Sequence, residues 1–524
     1  MTSFRKFCSI TLLAFLSGSV LSSKTFDLST ATLVDIIEAT DAGALSSEKL
    51  VQLYLKRIEA YDKSGPKINS IFFLNENAVE EAKAFDQERL DKGRRSPLHG
   101  IPIMVKDLID VRGFPTTAGF NPFGSPIPAR DAEVIRRLKD SGAIILAKVA
   151  TVNWYGNGGF DPEQHPTGWT LNPYNIEYSP GVSSNGTGAS IAAWFATLGL
   201  GTDTGGSVQI PSAYSSLVGM VGTQGLVSRS GIVPRGPTQD RAGPMTRSVY
   251  DAAALFSVMA GWDVEDLTTA DAIGHFPESD WASMLGEPTL EGKRIGVLRE
   301  MIQDPADSEV LACFEEALED LKDGGALIAD PILTGTNLRE FSGSSVTGTT
   351  HPYELVPASN AYLKRLGPDR PFDTIEEMLE TAGLDMVHSR YITAMSLPSP
   401  ETIKDYQARH TLRIALRELI EETIDKWNLD ALILPYRTLP PPAISTGQTH
   451  NDGDRNTLTS VTGLPGIIMP GGYTSKNLPV GIQFVGKRFS DLNLLRVAHG
   501  YEVASQNRKP AESVPPLPGE VFEY

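Results

Sequence analysis

Two serines and one lysine are the residues of this chain whose types and positions best suit attack on a carbonyl group. Ser183 lies in a Ser/Gly-rich segment, Ser207 follows the glycine pair of the turn at 201–207, and Lys106 ends the apolar run 101–105. A serine hydroxyl is a weak nucleophile until a base takes its proton, and a lysine amine can be that base once burial lowers its pKa. With Ser183 as a proton relay between Lys106 and Ser207, the three residues predict hydrolysis through an acyl-serine.

Each of these residues also has an ordinary structural explanation. An isolated lysine in a buried strand most often forms a salt bridge, here with Asp107 or Asp203. A serine in a turn most often bonds its own backbone. The catalytic interpretation therefore depends on all three residues occurring together, in segments that the fold must bring to one point.

The turn before Ser207 has the composition of an oxyanion site. Hydrolysis of an amide requires hydrogen-bond donors for the negative charge that develops on the carbonyl oxygen. Thr204, Gly205 and Gly206 directly precede Ser207. Backbone N–H groups around two glycines can converge on one oxygen without interference from a Cβ. We expect these N–H groups to bind the oxyanion.

Helices and strands in alternation must position these residues. Apolar residues at helical spacing predict two amphipathic helices within 33–61, the second capped by a serine, and a further helix over 131–140. The apolar run 98–105 predicts a buried strand that delivers Lys106, and small residues predict a buried helix over 189–198. A helix over 76–90, strands at 143–147, 295–298, 431–435, 465–469 and 480–485, and a last helix capped by Ser490 complete the pattern.

The alternation of strand, helix and strand predicts an α/β layered sheet. Length alone favours two or more domains, since the chain has 524 residues. The stretch 268–458 has weaker patterning, and we expect it to cover one side of the site. Trp154, Tyr155 and Phe160 lie between the strand at 143–147 and the serine segment, and are explained equally well as a pocket wall or as core.

The composition describes an ordinary globular protein with an acidic balance. Its 46 basic and 64 acidic residues give a net charge of −18, which argues against nucleic acid and anionic lipid as partners. The sequence has no Gly-x-Ser-x-Gly elbow, no Walker loop and no His-Glu-x-x-His motif. The absence of these motifs leads us to expect no metal and no cofactor. From the chemistry of the two serines and the lysine we expect a small-molecule or peptide amide as the partner, and we expect a monomer or homodimer.

The first 22 residues have the pattern of a secretory signal peptide. Arg5 and Lys6 precede an apolar stretch at 7–21 that is too short to span a bilayer comfortably, and small residues follow it. This pattern predicts a signal peptide at 1–22, a mature domain at 23–524 and a secreted or endomembrane-lumen location without membrane attachment after cleavage. Cys313 is then the only cysteine of the mature chain, so an intramolecular disulfide is impossible.

Together these residues resemble the amidase signature family, which uses a Ser-Ser-Lys triad. The resemblance covers most of the chain and implies one α/β/α layered domain around a large mixed β-sheet, in place of the two domains that length favours. It implies that Ser207 is the nucleophile, Ser183 the bridging serine, and Lys106 the base and later the acid. It implies supporting roles for Asp203 and Ser184. The matching motifs are 99–107, 179–184, 201–207 and 243–247, with support from 462–466 and 478–483.

The chain departs from the family pattern at three positions. Val182 and Asn185 stand where the family has glycines, and Gln209 stands where an arginine is common, so that any ion pair made there is missing. The resemblance also implies a cis peptide bond, here Val182–Ser183. These changes leave the three catalytic residue types intact, while they bear on the rate and the range of substrates.

The resemblance favours a secreted amidase that hydrolyses a carboxamide C–N bond, nearest in character to peptide amidases. Five alternatives stay open. The same triad could cleave esters or carbamates, or open lactams. The chain could be the ammonia-generating subunit of a tRNA-dependent amidotransferase, which the signal peptide disfavours, or a catalytically weak binding homologue.

Overall fold

A computed structural model describes residues 23–156, 165–342, 350–398, 403–451, 454 and 456–524. The predicted signal peptide at 1–22 and Phe160 lie outside these ranges, and the signal peptide stays a prediction. Within the ranges, every helix is too short or too polar to cross a membrane. The same residues contain no group of three His, Cys, Asp or Glu that could hold a metal ion.

Two sheets contain the strands of the described residues. The strands are β1 (Thr25–Asp27), β2 (Ile71–Leu74), β3 (Pro102–Lys106), β4 (Ile144–Val149), β5 (Leu198–Asp203), β6 (Val218–Val221), β7 (Arg241–Thr246), β8 (Arg294–Val297), β9 (Leu327–Ala329), β10 (Ala431–Pro435), β11 (Gly466–Tyr473), β12 (Pro479–Val485) and β13 (Val521–Glu523). The large sheet has 11 strands in the order β2-β4-β3-β5-β7-β6-β11-β12-β10-β8-β9, and β1 pairs with β13 separately. Because β4, β3 and β5 are parallel neighbours and β7 is antiparallel to β5, the large sheet is mixed.

Helices cover the sheet and connect its strands. They are α1 (Leu33–Asp41), α2 (Ser47–Arg57), α3 (Ala78–Lys92), α4 (Glu133–Asp140), α5 (Asn185–Ala192), α6 (Gln209–Tyr214), α7 (Val249–Met259), α8 (Ser308–Asp323), α9 (Leu338–Ser342), α10 (His351–Leu366), α11 (Ile375–Ala382), α12 (Ser389–Met395), α13 (Lys404–Trp427), α14 (Leu458–Thr462) and α15 (Asp491–Ser505). The predicted serine cap of α2 is confirmed, since the Ser46 side chain accepts the N–H of Lys49.

Alternate residues of β10 show that the sheet is buried on both faces. Ala431 and Ile433 belong to the core cluster that contains residues of α8 and α15, whereas Leu432 and Leu434 belong to the cluster built with α13 and α14. Successive side chains of a strand point to opposite faces, so a strand covered on both sides is apolar throughout. The continuous apolar runs in the sequence follow from this layering, and the expected α/β/α architecture is confirmed.

Two local predictions differ from the structure. The helix expected over 189–198 is α5, which ends at Ala192, and the residues from Leu198 to Asp203 form strand β5. The expected turn at 201–207 therefore begins as a strand. Ser490 precedes α15 as predicted, but its side chain donates to the carbonyl oxygen of Lys487 at 2.8 Å and does not cap the helix.

Candidate active site

Lys106 is the last residue of β3 and is enclosed by protein. All five residues of the strand are buried, and the lysine has no exposed surface. Its Nζ lies 2.5 Å from Ser183 Oγ, 2.8 Å from Thr202 Oγ1 and 3.3 Å from the Thr202 carbonyl oxygen. Burial lowers the pKa of Lys106 well below that of a free lysine, because removal from water disfavours the ammonium form. The side chain is therefore suited to be a neutral amine.

Lys106 does not form the salt bridge that would explain it structurally. Asp107 pairs instead with Lys148 of β4, whose Nζ lies 3.0 Å from Asp107 Oδ1. Among the described residues, no carboxylate oxygen lies within 4.0 Å of Lys106 Nζ. Asp203 and Asp240 raise the pKa of Lys106 from a distance, and burial outweighs both.

The two serines before α5 are held against β5 and against the segment of Ser207. The Val182–Ser183 peptide bond is cis, as the resemblance implies. Ser184 Oγ donates to the carbonyl oxygen of Thr202 and accepts its N–H, each at 3.2 Å. The Ser184 N–H donates to the carbonyl oxygen of Ser207 at 3.3 Å. The structure thus brings Lys106, Ser183 and the Ser207 segment together.

Asp203 organises the turn that carries Ser207. Its Oδ1 accepts the N–H of Gly206 and its Oδ2 accepts the N–H of Val208, both at 2.9 Å. The Ser460 hydroxyl donates to Oδ1 at 3.2 Å. Ser207 lies in the turn that these hydrogen bonds stabilise, and it is partly exposed. Since Lys106 and Ser183 are buried, Ser207 is the member of the group that a substrate can reach.

The N–H groups of the turn are not equivalent as oxyanion donors. The Gly206 N–H is donated to Asp203 Oδ1 at 2.9 Å, so an oxyanion would have to share this N–H with the carboxylate. The N–H groups of Gly205 and Ser207 have no acceptor among the described residues. The Thr204 hydroxyl donates to Asp240 Oδ1 at 2.5 Å, which fixes the start of the turn.

Gln209 occupies a position where an arginine is common in the family, and its side chain forms a network of hydrogen bonds. Its Nε2 donates to Asp203 Oδ2 at 3.2 Å. Its Oε1 accepts the Thr459 hydroxyl at 3.0 Å and Nε2 of Gln483 at 2.5 Å. Gln209 is uncharged, and its buried amide is satisfied by two neutral side chains and by the Asp203 carboxylate.

Aromatic residues enclose the lysine on one side. The Trp154 ring centroid lies 5.6 Å from Lys106 Nζ, and the indole is 6% exposed. The Tyr391 hydroxyl of α12 donates to the Trp154 carbonyl oxygen at 2.7 Å, and its ring packs against Tyr155. Part of the 268–458 stretch therefore covers this side of the site, as expected.

Thr202 and Asp240 contribute to the site and were missed by sequence reasoning. Thr202 holds Lys106 and Ser184 at once. Asp240 accepts the Thr204 hydroxyl and the N–H of Arg235, the latter at 2.9 Å, and burial raises its pKa to about 6. Thr202 directly precedes Asp203 in the sequence, and this position could have identified it as a residue of the site. Asp240 reaches Thr204 only through the tertiary structure, so the sequence contains no comparable indication for it.

Sequence comparison places the chain among amidases. The family model described as Amidase matches residues 49–495. A probable amidase of Arabidopsis thaliana is 32% identical over 515 residues, which cover 95% of this chain and 94% of that protein. A glutamyl-tRNA(Gln) amidotransferase subunit of Myxococcus xanthus is 32% identical over 91% of this chain and 97% of its own length.

Structural comparison agrees with the sequence match. The native peptide amidase of Stenotrophomonas maltophilia superposes with a TM-score of 0.82 at 31% identity, covering 92% of this chain and 98% of that one. An amidase family protein of Bacillus anthracis superposes with a TM-score of 0.79, also at 31% identity, covering 93% of each chain. The family match spans far more than half of the chain and agrees with the α/β/α sheet. The chain is an amidohydrolase of the amidase signature family.

Proposed function

We propose that the chain hydrolyses a carboxamide through an acyl-Ser207 intermediate, with Lys106 as base and Ser183 as proton relay. The observation that carries this proposal is the fully buried Lys106 amine, 2.5 Å from Ser183 Oγ and without a carboxylate partner among the described residues. Burial favours the neutral amine, which is the form that can take a proton.

In the first half of the reaction, Ser207 Oγ bonds to the amide carbon while its proton passes through the Ser183 hydroxyl to Lys106 Nζ. The carbonyl oxygen becomes an oxyanion, which the N–H groups of Gly205 and Ser207 stabilise. The resulting Lys106 ammonium returns the proton through Ser183 to the leaving nitrogen. The C–N bond breaks, the amine departs, and an ester to Ser207 remains.

In the second half, water replaces the amine. Its oxygen bonds to the ester carbon, and its proton passes through Ser183 to Lys106. Collapse of the oxyanion breaks the bond to Ser207 Oγ, which regains a proton by the same route. The acid product is released, the Ser207 hydroxyl is regenerated, and Lys106 is neutral again.

Covalent labelling tests this assignment directly. A fluorophosphonate should attach to Ser207, and the Ser207→Ala variant should take up no label. Ser183→Ala should slow labelling because the relay is broken, whereas Ser257→Ala, on α7, should label at the wild-type rate. Label that survives Ser207→Ala would overturn the assignment.

The likeness to peptide amidase supports a peptide or other linear amide as the substrate class. A screen of C-terminal peptide amides, aryl amides, esters, carbamates and lactams separates the alternatives, because the triad itself does not select the leaving group. We expect amides to be cleaved with the highest kcat/KM. A clear preference for esters or lactams would reassign the substrate class and keep the triad.

We also propose that residues 1–22 direct secretion and are removed. The support is the basic start followed by the short apolar stretch at 7–21. Mass spectrometry of the N-terminus of the exported protein should give a first residue near Lys24. An intact Met1 on the mature protein would contradict the proposal.

The relatives that belong to glutamyl-tRNA(Gln) amidotransferases motivate a second candidate, the release of ammonia from glutamine for a partner enzyme. This candidate requires other protein chains and a translation compartment. The purified single chain should then be inactive on simple amides. Turnover of an aryl amide by the lone chain would exclude it, and would also exclude a catalytically silent homologue.

A further inference from the structure

Three buried side chains near the proposed nucleophile carry polar atoms without a hydrogen-bond partner. They are Arg437, which is 4% exposed, and Tyr214 and Tyr436, each 1% exposed. Within the described ranges, Nε and Nη1 of Arg437 and both tyrosine hydroxyls make no hydrogen bond. A buried polar group without a hydrogen-bond partner destabilises the fold, and a charged one does so more strongly.

These side chains form one group beside the active turn. Tyr214 and Tyr436 pack together in one apolar cluster with Ile210. The Arg437 guanidinium carbon lies 5.8 Å from the centroid of the Tyr436 ring. The guanidinium charge also counteracts the rise that burial causes in the pKa of both tyrosines, so it lies close enough to act on each.

The group borders the segments of both catalytic serines. A Cβ built on Gly206 would lie 2.5 Å from the Tyr436 hydroxyl oxygen, so this hydroxyl reaches the turn that ends in Ser207. Val182, directly before Ser183, packs against the cluster that contains Tyr436. The Tyr436 hydroxyl therefore lies beside the turn that carries Ser207, and Tyr436 connects this turn to Arg437 and Tyr214.

The acids nearest to this group do not neutralise Arg437. Asp454 accepts the N–H of Thr438 at 2.8 Å, the Thr438 hydroxyl at 3.0 Å and the N–H of Leu439 at 2.9 Å. Asp203 is occupied by the active turn. Among the described residues, neither places a carboxylate oxygen within 4.0 Å of Arg437. Within the part of the chain that the structure describes, the guanidinium therefore has no carboxylate paired with it.

We propose that Arg437, Tyr214 and Tyr436 form a subsite for a carboxylate carried by the substrate. This inference rests on the proposed function and specifies its substrate class: an amide that bears a second, anionic group away from the scissile bond. A guanidinium binds carboxylates through paired N–H groups, and two phenol hydroxyls can donate to the same anion. The carboxylate belongs to the acyl part or to the leaving amine, and both sources have the same chemistry.

Matched substrates test the subsite. Adipamate carries a carboxylate on its acyl part and hexanamide does not, while N-hexanoylglycine and N-hexanoyl-ethylamine differ in the same way on the amine side. The wild-type enzyme should prefer the charged member of at least one pair by tenfold or more in kcat/KM. Arg437→Gln should remove that preference, Arg437→Lys should keep part of it, and Tyr214→Phe and Tyr436→Phe should weaken it.

A structural role for Arg437 makes a different prediction. A purely structural arginine would lower the rates on both members of each pair equally, with a loss of thermal stability. Removal of an unpaired buried charge should instead leave the melting temperature of Arg437→Gln unchanged or raise it. The control is Arg496→Gln, at an exposed arginine that donates to the Met284 carbonyl oxygen. Equal losses on both members, or no wild-type preference in either pair, would overturn the proposal.

Binding separates this proposal from the proposed function. Calorimetry with Ser207→Ala measures affinity for adipamate, N-hexanoylglycine and their neutral partners without any chemistry. Arg437-dependent binding of a charged member supports the subsite even if fluorophosphonate labelling of Ser207 fails. Labelling that succeeds while Arg437→Gln leaves both the binding and the rates unchanged rejects the subsite and keeps the triad.

Discussion

Lys148 Nζ lies 3.0 Å from Asp107 Oδ1, and both side chains are fully buried. Lys148 also donates to the Pro115 carbonyl oxygen and to the Thr116 hydroxyl, each at 3.1 Å. The neighbouring strand carries Lys106, which is equally buried but has no acid as a partner among the described residues. Of these two buried lysines on adjacent strands, one is paired with a carboxylate and the other is not. This difference supports the proposal that Lys148 stabilises the fold and that Lys106 acts in the reaction.

Replacing each lysine by methionine should separate the two roles. Lys148→Met leaves the buried Asp107 carboxylate unpaired, which should lower the free energy of unfolding by about 3–5 kcal/mol. Lys106→Met should lower kcat by at least about 10²–10⁴-fold, because the general base is lost. Urea unfolding and initial rates on an aryl amide give both quantities.

The pKa of Lys106 also fixes the sign of its effect on stability. Because its pKa is lowered in the folded state, the Lys106 amine holds its proton less firmly in the folded chain than in the unfolded chain. Lys106 therefore detracts from stability below the pKa of a free lysine, and its contribution improves as pH rises towards that value. Lys106→Met should be at least as stable as the wild type at pH 7. A large loss of stability would show that the lysine is charged and paired.

The acid limb of the pH profile should report Lys106. The value of kcat/KM should rise with pH as the ammonium form is lost, with a midpoint well below the pKa of a free lysine. Asp240 stabilises the ammonium form from a distance, so Asp240→Asn should move the midpoint to lower pH. Asp251→Asn removes another buried acid, on α7, and should leave the midpoint in place. A shift to higher pH in Asp240→Asn would contradict this assignment.

The two glycines of the active turn should tolerate alanine very differently. Gly206 has φ +111°, and an added Cβ would lie 2.5 Å from the Tyr436 hydroxyl oxygen. Gly206→Ala should cost about 1–3 kcal/mol of stability and lower kcat strongly, because the turn must shift. A Cβ on Gly205 meets no atom within 4 Å, so Gly205→Ala should change stability by less than about 0.5 kcal/mol. Differential scanning calorimetry of both variants checks the contrast.

The sequence predicted correctly those features that depend on a local residue pattern. The apolar run before Lys106 predicted both the strand and the buried lysine, and the cis bond before Ser183 followed from the family resemblance. The helix expected over 189–198 was misplaced because its small residues serve close packing. A Cβ on Gly199 would lie 2.6 Å from Thr187 Cγ2, which shows how closely α5 approaches β5. The small residues of 189–198 were interpreted as helix-forming, although they allow close packing of a helix against a strand.

Contacts between distant segments could not be predicted in the same way. Asp240 accepts the Thr204 hydroxyl across a separation of 36 residues, and Arg437 acts on the pKa of Tyr214 from a much more distant part of the sequence. An arginine without an acid partner has no signature in the sequence, because the partner's absence is a property of the fold. The three residues of the proposed triad could therefore be selected from the sequence, whereas the charges around them could not be predicted from it.

The network around Gln209 predicts the result of restoring the usual arginine. Gln209 Oε1 accepts from Thr459 and from Nε2 of Gln483, and arginine has no acceptor to offer. Gln209→Arg should therefore lower the free energy of unfolding by about 1–3 kcal/mol, although it could pair with Asp203. Adding Gln483→Glu supplies an acceptor for the arginine and keeps the hydrogen bond from Asn456, now 2.8 Å long. The double variant should regain stability in urea unfolding. If Gln209→Arg alone were as stable as the wild type, the hydrogen bond between Gln209 and Gln483 would not be needed for stability.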